Sequence, residues 1–176
     1  MAVRDRIGPA LAAVHEGLKL ARRELDGSEA DPPRRRWVSV ALVSALQAGL
    51  VAALSGYESA GEGDIADPSQ PDKVAPVTVL LRRARSAEYL EPPERLELTG
   101  QGVRNIETVI TVRNMVLHGT GAVPDPSMND AYRSVLLVLQ QVCLTHPAFP
   151  VRECGVVLAL IRDEISALDR RLAPSG

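Results

Sequence analysis

The chain has 176 residues and a mass of 18.9 kDa, is 45% hydrophobic and 24% charged, and carries a formal net charge of −2 at a pI of about 5.9. That length fills one core and is short for two, and the charge balance excludes a polycation that would hold any nucleic acid by bulk attraction. With one Trp, three Tyr and one Phe, the core must be built from Ala, Leu and Val, a mixture that favours packed helices over sheets.

Ile7, Ala10, Leu11, Val14, Leu18, Ala21 and Leu25 recur at spacings of three and four and predict a first helix, begun or kinked at Gly8-Pro9. His15, beside Val14, reads as a histidine of the helix surface or core edge. Residues 26–33, DGSEADPP, form a turn-rich connection. The next segment, WVSVALVSALQAGLVAAL at 37–54, is uncharged for 18 residues and follows Arg34-Arg35-Arg36. Eighteen residues is the lower edge of a bilayer span, so a membrane helix competes with a buried one. Ser39, Ser44, Gln47, Gly49 and the alanines make the segment only moderately apolar. Leu42, Leu46, Leu50 and Leu54 form one stripe, with Ala41, Ala45, Ala48 and Ala52 beside it, which suits the centre of a bundle or a dimer interface.

Residues 56–75, rich in Gly, Pro, Asp and Ser, are expected to be a flexible loop. Pro76 suits the first turn of a third helix whose apolar face is Val77, Leu80, Leu81 and Ala84. After the polar break YLEPPERLE, the run TGQG at 99–102 starts a helix with a stripe of Val103, Ile106, Val109, Ile110 and Leu117. Gly119 and Gly121 end it. Ser127 with Asp130 has the spacing of a capping box and opens a helix through Tyr132, Val135, Leu139 and Val142. HPAFP at 146–150 breaks the chain before a last helix through Cys154, Val157, Leu158, Ile161, Ile165, Leu168 and Leu172. No stretch alternates as a strand would. The expected fold is all-α, one domain spanning 1–176 built as a bundle of five to six helices. Cys143 and Cys154 lack CxxC spacing and no secretory signal opens the chain, so free thiols in a cytoplasmic protein are expected.

The run RNMVLHG at 113–119 carries the chemistry. Arg113 falls on or beside the buried stripe, an expensive place for a guanidinium without a partner. Asn114 and His118 are four apart and share a face. Arg113 and His118 are five apart, about 140° around an ideal helix, so they converge only if the helix loosens or a second chain completes the site. A histidine at the negative end of a helix, beside an arginine, suits phosphoryl chemistry on RNA without a metal. The 2′-hydroxyl must lose a proton, the transition state needs a fixed cation, and the leaving 5′-oxygen needs a proton. Arg113 would clamp the phosphate while Asn114 holds a phosphate oxygen or orients the histidine. Chance supplies an Arg five places before some His with probability about 0.3, and only about 0.005 once Asn must follow the Arg.

RNMVLHG, read as R-N-x-x-x-H at a helix end within a small all-helical chain, resembles the HEPN superfamily. The resemblance implies a homodimer whose Arg and His meet across a cleft, and metal-independent endoribonuclease activity of the kind found in toxin–antitoxin and phage-defence systems. It implies catalytic roles for Arg113 and His118, Asn114 as the polar residue after the motif Arg, RNA as substrate, and a cognate antitoxin as a partner. Antitoxin-modified relatives often carry a tyrosine two residues past the histidine; here that position is Thr120.

Arg82, Arg83 and Arg85, and likewise Arg34 to Arg36, would guide RNA or else cap helix ends as solvated cations. Cys143 with His146 lacks the further ligands of a metal site, and TGQG fits no phosphate-binding fingerprint. No cofactor is called for. The competing reading from another class is a non-catalytic helical binding or dimerisation module, for a nucleotide or protein ligand. A membrane-associated protein using residues 37–54 is the third.

Overall fold

A computed structural model describes residues 3–120 and 123–173. These form six α-helices, α1 Ile7–Gly27, α2 Arg36–Gly56, α3 Val77–Ala84, α4 Gly100–Leu117, α5 Asn129–Gln140 and α6 Gly155–Leu172, with short 3-10 segments between them. Among the described residues the only β-type pairing is an isolated bridge between Ala66 and Val74. The protein is an all-α helical bundle, as its composition and periodicity predict.

The arrangement follows from which side chains meet. Helices α1 and α2 form an antiparallel hairpin, with Glu24 bonded to Arg34 near its turn and Gly17 against Ala41 and Ala45 halfway along. Arg22 reaches Glu164, and Arg171 reaches Asp26, so α6 runs parallel to α1. Helix α5 lies parallel to α2, since Ser39 meets Tyr132 and Gly49 meets Leu139 and Val142. Helices α3 and α4 pack against other parts of α2. Thus α2 is central, which is why it is apolar nearly all round. By length and composition Pro32–Gly56 is long and apolar enough to cross a membrane, and 72% of its apolar 18-residue window is buried inside the protein. Leu42, Leu46, Leu50 and Leu54 are all fully buried.

The alanine stripe has a steric purpose. A Cβ placed on Gly17 would lie 2.9 Å from Ala45 Cβ and 3.1 Å from the Ala41 carbonyl oxygen, so the two helices touch nearly backbone to backbone. Gly17→Val is expected to destabilise the fold by about 1–3 kcal/mol through overpacking, read as a lower midpoint in urea unfolding with an unchanged slope.

Four expectations change in detail. The 56–75 segment is held in place: Tyr57 Oη donates to Asp64 at 2.5 Å, the Gly61 amide donates to the same carboxylate at 2.6 Å, and Ile65 and Ala75 are buried. The capping box is absent. Asp125 accepts from the Ser127 amide and hydroxyl instead, because a 3-10 turn, Pro126–Met128, precedes α5 and moves the first free amides upstream. Leu117 is 50% exposed, because the buried positions of α4 stop at Ile110. Finally, α5 leaves α-geometry through a π-turn, Gln141–Thr145, before the HPAFP break. Gly121 lies outside the described residues.

Glu24 makes a second testable element. It is buried between Arg34 and Arg23, and the hydrogen bonds from Arg34, ahead of those from Arg23, hold its carboxyl below the ordinary carboxylate range against the opposing effect of burial. A depressed folded-state pKa contributes stability that is present above the unfolded value of about 4.3 and is lost as pH falls through the folded value. Glu24→Gln should therefore be less stable than wild type at pH 7, the gap narrowing as acid is added, in urea titrations across that range.

Candidate functional site

Helix α4 begins at Thr99, whose hydroxyl accepts from the Gly102 amide at 3.1 Å, so TGQG is a helix start. Ile106, Val109 and Ile110 bury its first three turns, and the Asn105 side-chain amide donates to Ser134 Oγ on α5 at 2.8 Å. From Thr111 to Leu117 no residue is buried, so these turns stand proud of the bundle. The helix ends in a Schellman arrangement. The Gly119 amide donates to the Val116 carbonyl, the Thr120 amide to the Met115 carbonyl at 2.9 Å, and Gly119 takes φ +70°. His118 is the C-cap residue and is exposed.

The motif is therefore displayed on a projecting helix end. Arg113 is half-buried; its Nη1 donates to Asn114 Oδ1 at 2.9 Å, and its Nε is buried without an acceptor. No hydrogen bond joins Arg113 or Asn114 to the His118 side chain within the chain. The three residues thus share one helix end, with Arg113 and Asn114 joined and His118 apart. Apolar Met115 and Leu117 lie among them, 40% and 50% exposed. The nearest cleft, lined by Val112, Met115, Val123, Pro124, Asp125, Ser127 and Met128, takes in the apolar side of this helix end and none of the three motif residues.

The other arginines divide by what they already hold. Arg34 is committed to Glu24, Arg35 to Asn129 and Arg36 to the Pro33 carbonyl, so this cluster ties α2 to its surroundings. Arg83 donates to the carbonyl oxygens of Asp64 and Ala66 at 3.0 and 2.8 Å and lies over the Tyr89 ring. It is a clasp for the 57–75 segment, whereas Arg82 and Arg85 are exposed. Charge-assisted bonds to two carbonyls have a large structural effect. Arg83→Met is expected to destabilise the fold by about 2–3 kcal/mol, and Arg82→Gln with Arg85→Gln by less than about 0.5 kcal/mol, in thermal and urea unfolding. Equal, small losses in all three would return Arg83 to the solvated cluster.

Cys143 is buried, and burial pushes its thiol up to about 12, which leaves no thiolate for nucleophilic work near neutral pH. His146 follows it as the cap of the π-turn. Among the described residues no three His, Cys, Asp or Glu side chains are grouped to hold a metal ion. His15 lies beside Glu16 at the edge of α1. Compared with protein-family models, curated proteins and solved structures, the chain matches none.

Proposed function

We propose that this protein is a metal-independent endoribonuclease of HEPN type, cleaving RNA by 2′-hydroxyl attack in a cleft completed by a second copy of the chain. The observation that carries this reading is the unspent guanidinium of Arg113. Arg34, Arg35, Arg36 and Arg83 bond acceptors beyond their immediate neighbours, while Arg113 bonds its neighbour Asn114 and, like Arg6 and Arg35, keeps a buried Nε–H without an acceptor among the described residues. A donor left in that state costs about 1–3 kcal/mol. In this reading the planar fork of the guanidinium spans two phosphate oxygens.

In this mechanism Arg113 holds the scissile phosphate and neutralises the charge that grows on it in the transition state. Neutral His118 of the second copy takes the proton of the 2′-hydroxyl as its oxygen attacks phosphorus, and the imidazolium so formed gives a proton to the departing 5′-oxygen. Asn114 fixes the guanidinium through its Oδ1. The products are a 2′,3′-cyclic phosphate and a 5′-hydroxyl. The exposed Met115 and Leu117 between the polar residues give a homodimer contact at the same helix end. A cytoplasmic toxin–antitoxin or phage-defence role, with an antitoxin covering this helix end, accords with such a site.

The test is incubation of mixed RNAs with purified protein in EDTA, with product ends analysed and the oligomeric state measured by light scattering. Cleavage leaving cyclic phosphate ends supports the proposal. A second reading, a non-catalytic binding or dimerisation module, draws on the absence of any Arg113 or Asn114 bond to the His118 side chain within one chain. A well-folded dimer that cleaves none of many RNAs would favour it.

A further inference from the structure

Of the five aromatic residues, Tyr57, Tyr89, Tyr132 and Phe149 are buried or half-buried. The fifth, Trp37, is 46% exposed in the first turn of α2. What lies beside it follows from how the helices run. Helix α5 is parallel to α2, and α4 is antiparallel to α5, since Asn105 bonds Ser134 while Val112 and Met115 share a cleft with Ser127 and Met128. The end of α4 that carries the motif therefore comes to the start of α2, where Arg35 is tied to Asn129.

The faces of α2 sort in the same way. Ala41 and Ala45 meet α1, and Ser39 and Gly49 meet α5. Helix α6 joins α1 to α5 on one side, through Arg22 with Glu164 and Arg133 with Asp169, so α4 lies on the other side of α5. Trp37, Val40 and Ser44, spaced by three and four, are left as an incompletely covered strip between α1 and α4. On α4, Asn114 stands about 200° round from Val112, which lies on the side of α5, so the bonded pair of Arg113 and Asn114 turns toward this strip. Arg36 adds a cation: its Nε bonds the Pro33 carbonyl, and its Nη groups have no hydrogen bond or ion pair among the described residues.

We propose that Trp37 is a stacking platform for one base of single-stranded RNA, beside the phosphate held by Arg113, a role that rests on the ribonuclease reading for its ligand. Every base has a π-face, so the platform tolerates any sequence; bases in a duplex are already stacked on one another, so it selects single strands. Arg36, one residue away, pairs with a phosphate of the same strand.

The chain has one Trp, so its fluorescence reports this position alone. The experiment titrates the full chain with a short single-stranded RNA carrying 2′-fluoro in place of the 2′-hydroxyl, which removes the attacking group and separates binding from cleavage. Saturable quenching is expected, with little from the duplex of the same sequence. By anisotropy of labelled RNA, Trp37→Leu should bind about 5–150-fold more weakly. Trp37→Phe should keep most of the affinity, because leucine fills the space without offering a π-face. Quenching with no cleavage of unmodified RNA would keep the platform and sink the ribonuclease reading. Cleavage with the same affinity and rate in Trp37→Leu as in wild type would do the reverse. The platform also falls if no single strand quenches the wild type, or if emission follows protein concentration and not RNA, since the indole then sits in a contact between copies.

Discussion

Arg113→Ala and His118→Ala are each expected to lower metal-independent RNA cleavage by about 10²–10³-fold or more, the usual cost of removing a transition-state donor or a general acid–base. Neither should unfold the protein. His118 is exposed and its side chain makes no hydrogen bond among the described residues, so its truncation should stay within about 0.5 kcal/mol of wild type. Arg113→Lys separates charge from geometry: a lysine keeps the cation and loses the fork, so activity should fall between wild type and Arg113→Ala. Growth arrest on expression should disappear with the same variants.

The dimer gives a sharper version of this test. Arg113 and His118 lie about 140° apart around α4 by ideal geometry, and no bond joins the guanidinium to the imidazole within the chain. If one active centre takes Arg113 from one copy and His118 from the other, a mixed dimer of Arg113→Ala with His118→Ala contains one intact pair. Activity should return when the two inactive variants are unfolded and refolded together. A site built within one chain has no such rescue, and the mixture would stay inactive.

Much of the fold was legible because apolar spacing and burial are the same fact seen twice. Every residue of the α6 stripe from Leu158 to Leu172 is buried, as are Val77, Leu80, Leu81 and Ala84 of α3. Where spacing misled, a neighbour was missing. Leu117 continues the α4 stripe in sequence, yet the bundle gives it no partner beyond Ile110, and periodicity cannot see where a neighbouring helix ends. Arg83 looked like one of three equivalent cations because the carbonyl groups of Asp64 and Ala66 that it clasps lie 17 to 19 residues away. The motif itself was legible as a helix end closed by Gly119, since αL caps leave that signature. The orphaned Nε of Arg113 was not, because it depends on what packs over the guanidinium rather than on any spacing.

Leu46→Ala is expected to cost about 2–5 kcal/mol, the range for emptying a fully buried leucine site, against a total stability of about 5–15 kcal/mol for a domain. Leu46 is 0% exposed, midway along a helix whose other sides are held by α1, α3, α4 and α5. Those partners are fixed by contacts such as Gly17 with Ala45 and Ser39 with Tyr132, so the bundle collapses little into the void and the cavity contribution should be near its maximum. For a chain of this size each kcal/mol lowers Tm by about 2–4 °C, so a fall of about 10 °C is expected in calorimetry. Leu137→Ala is the control: at 63% exposed it removes the same atoms from water-facing surface and should shift stability by less than about 0.5 kcal/mol. A loss below about 1 kcal/mol at Leu46 would mean that this leucine stripe does not face a protein core. The uncharged 37–54 segment would then have to present it to another solvent, which is the reading a membrane helix requires.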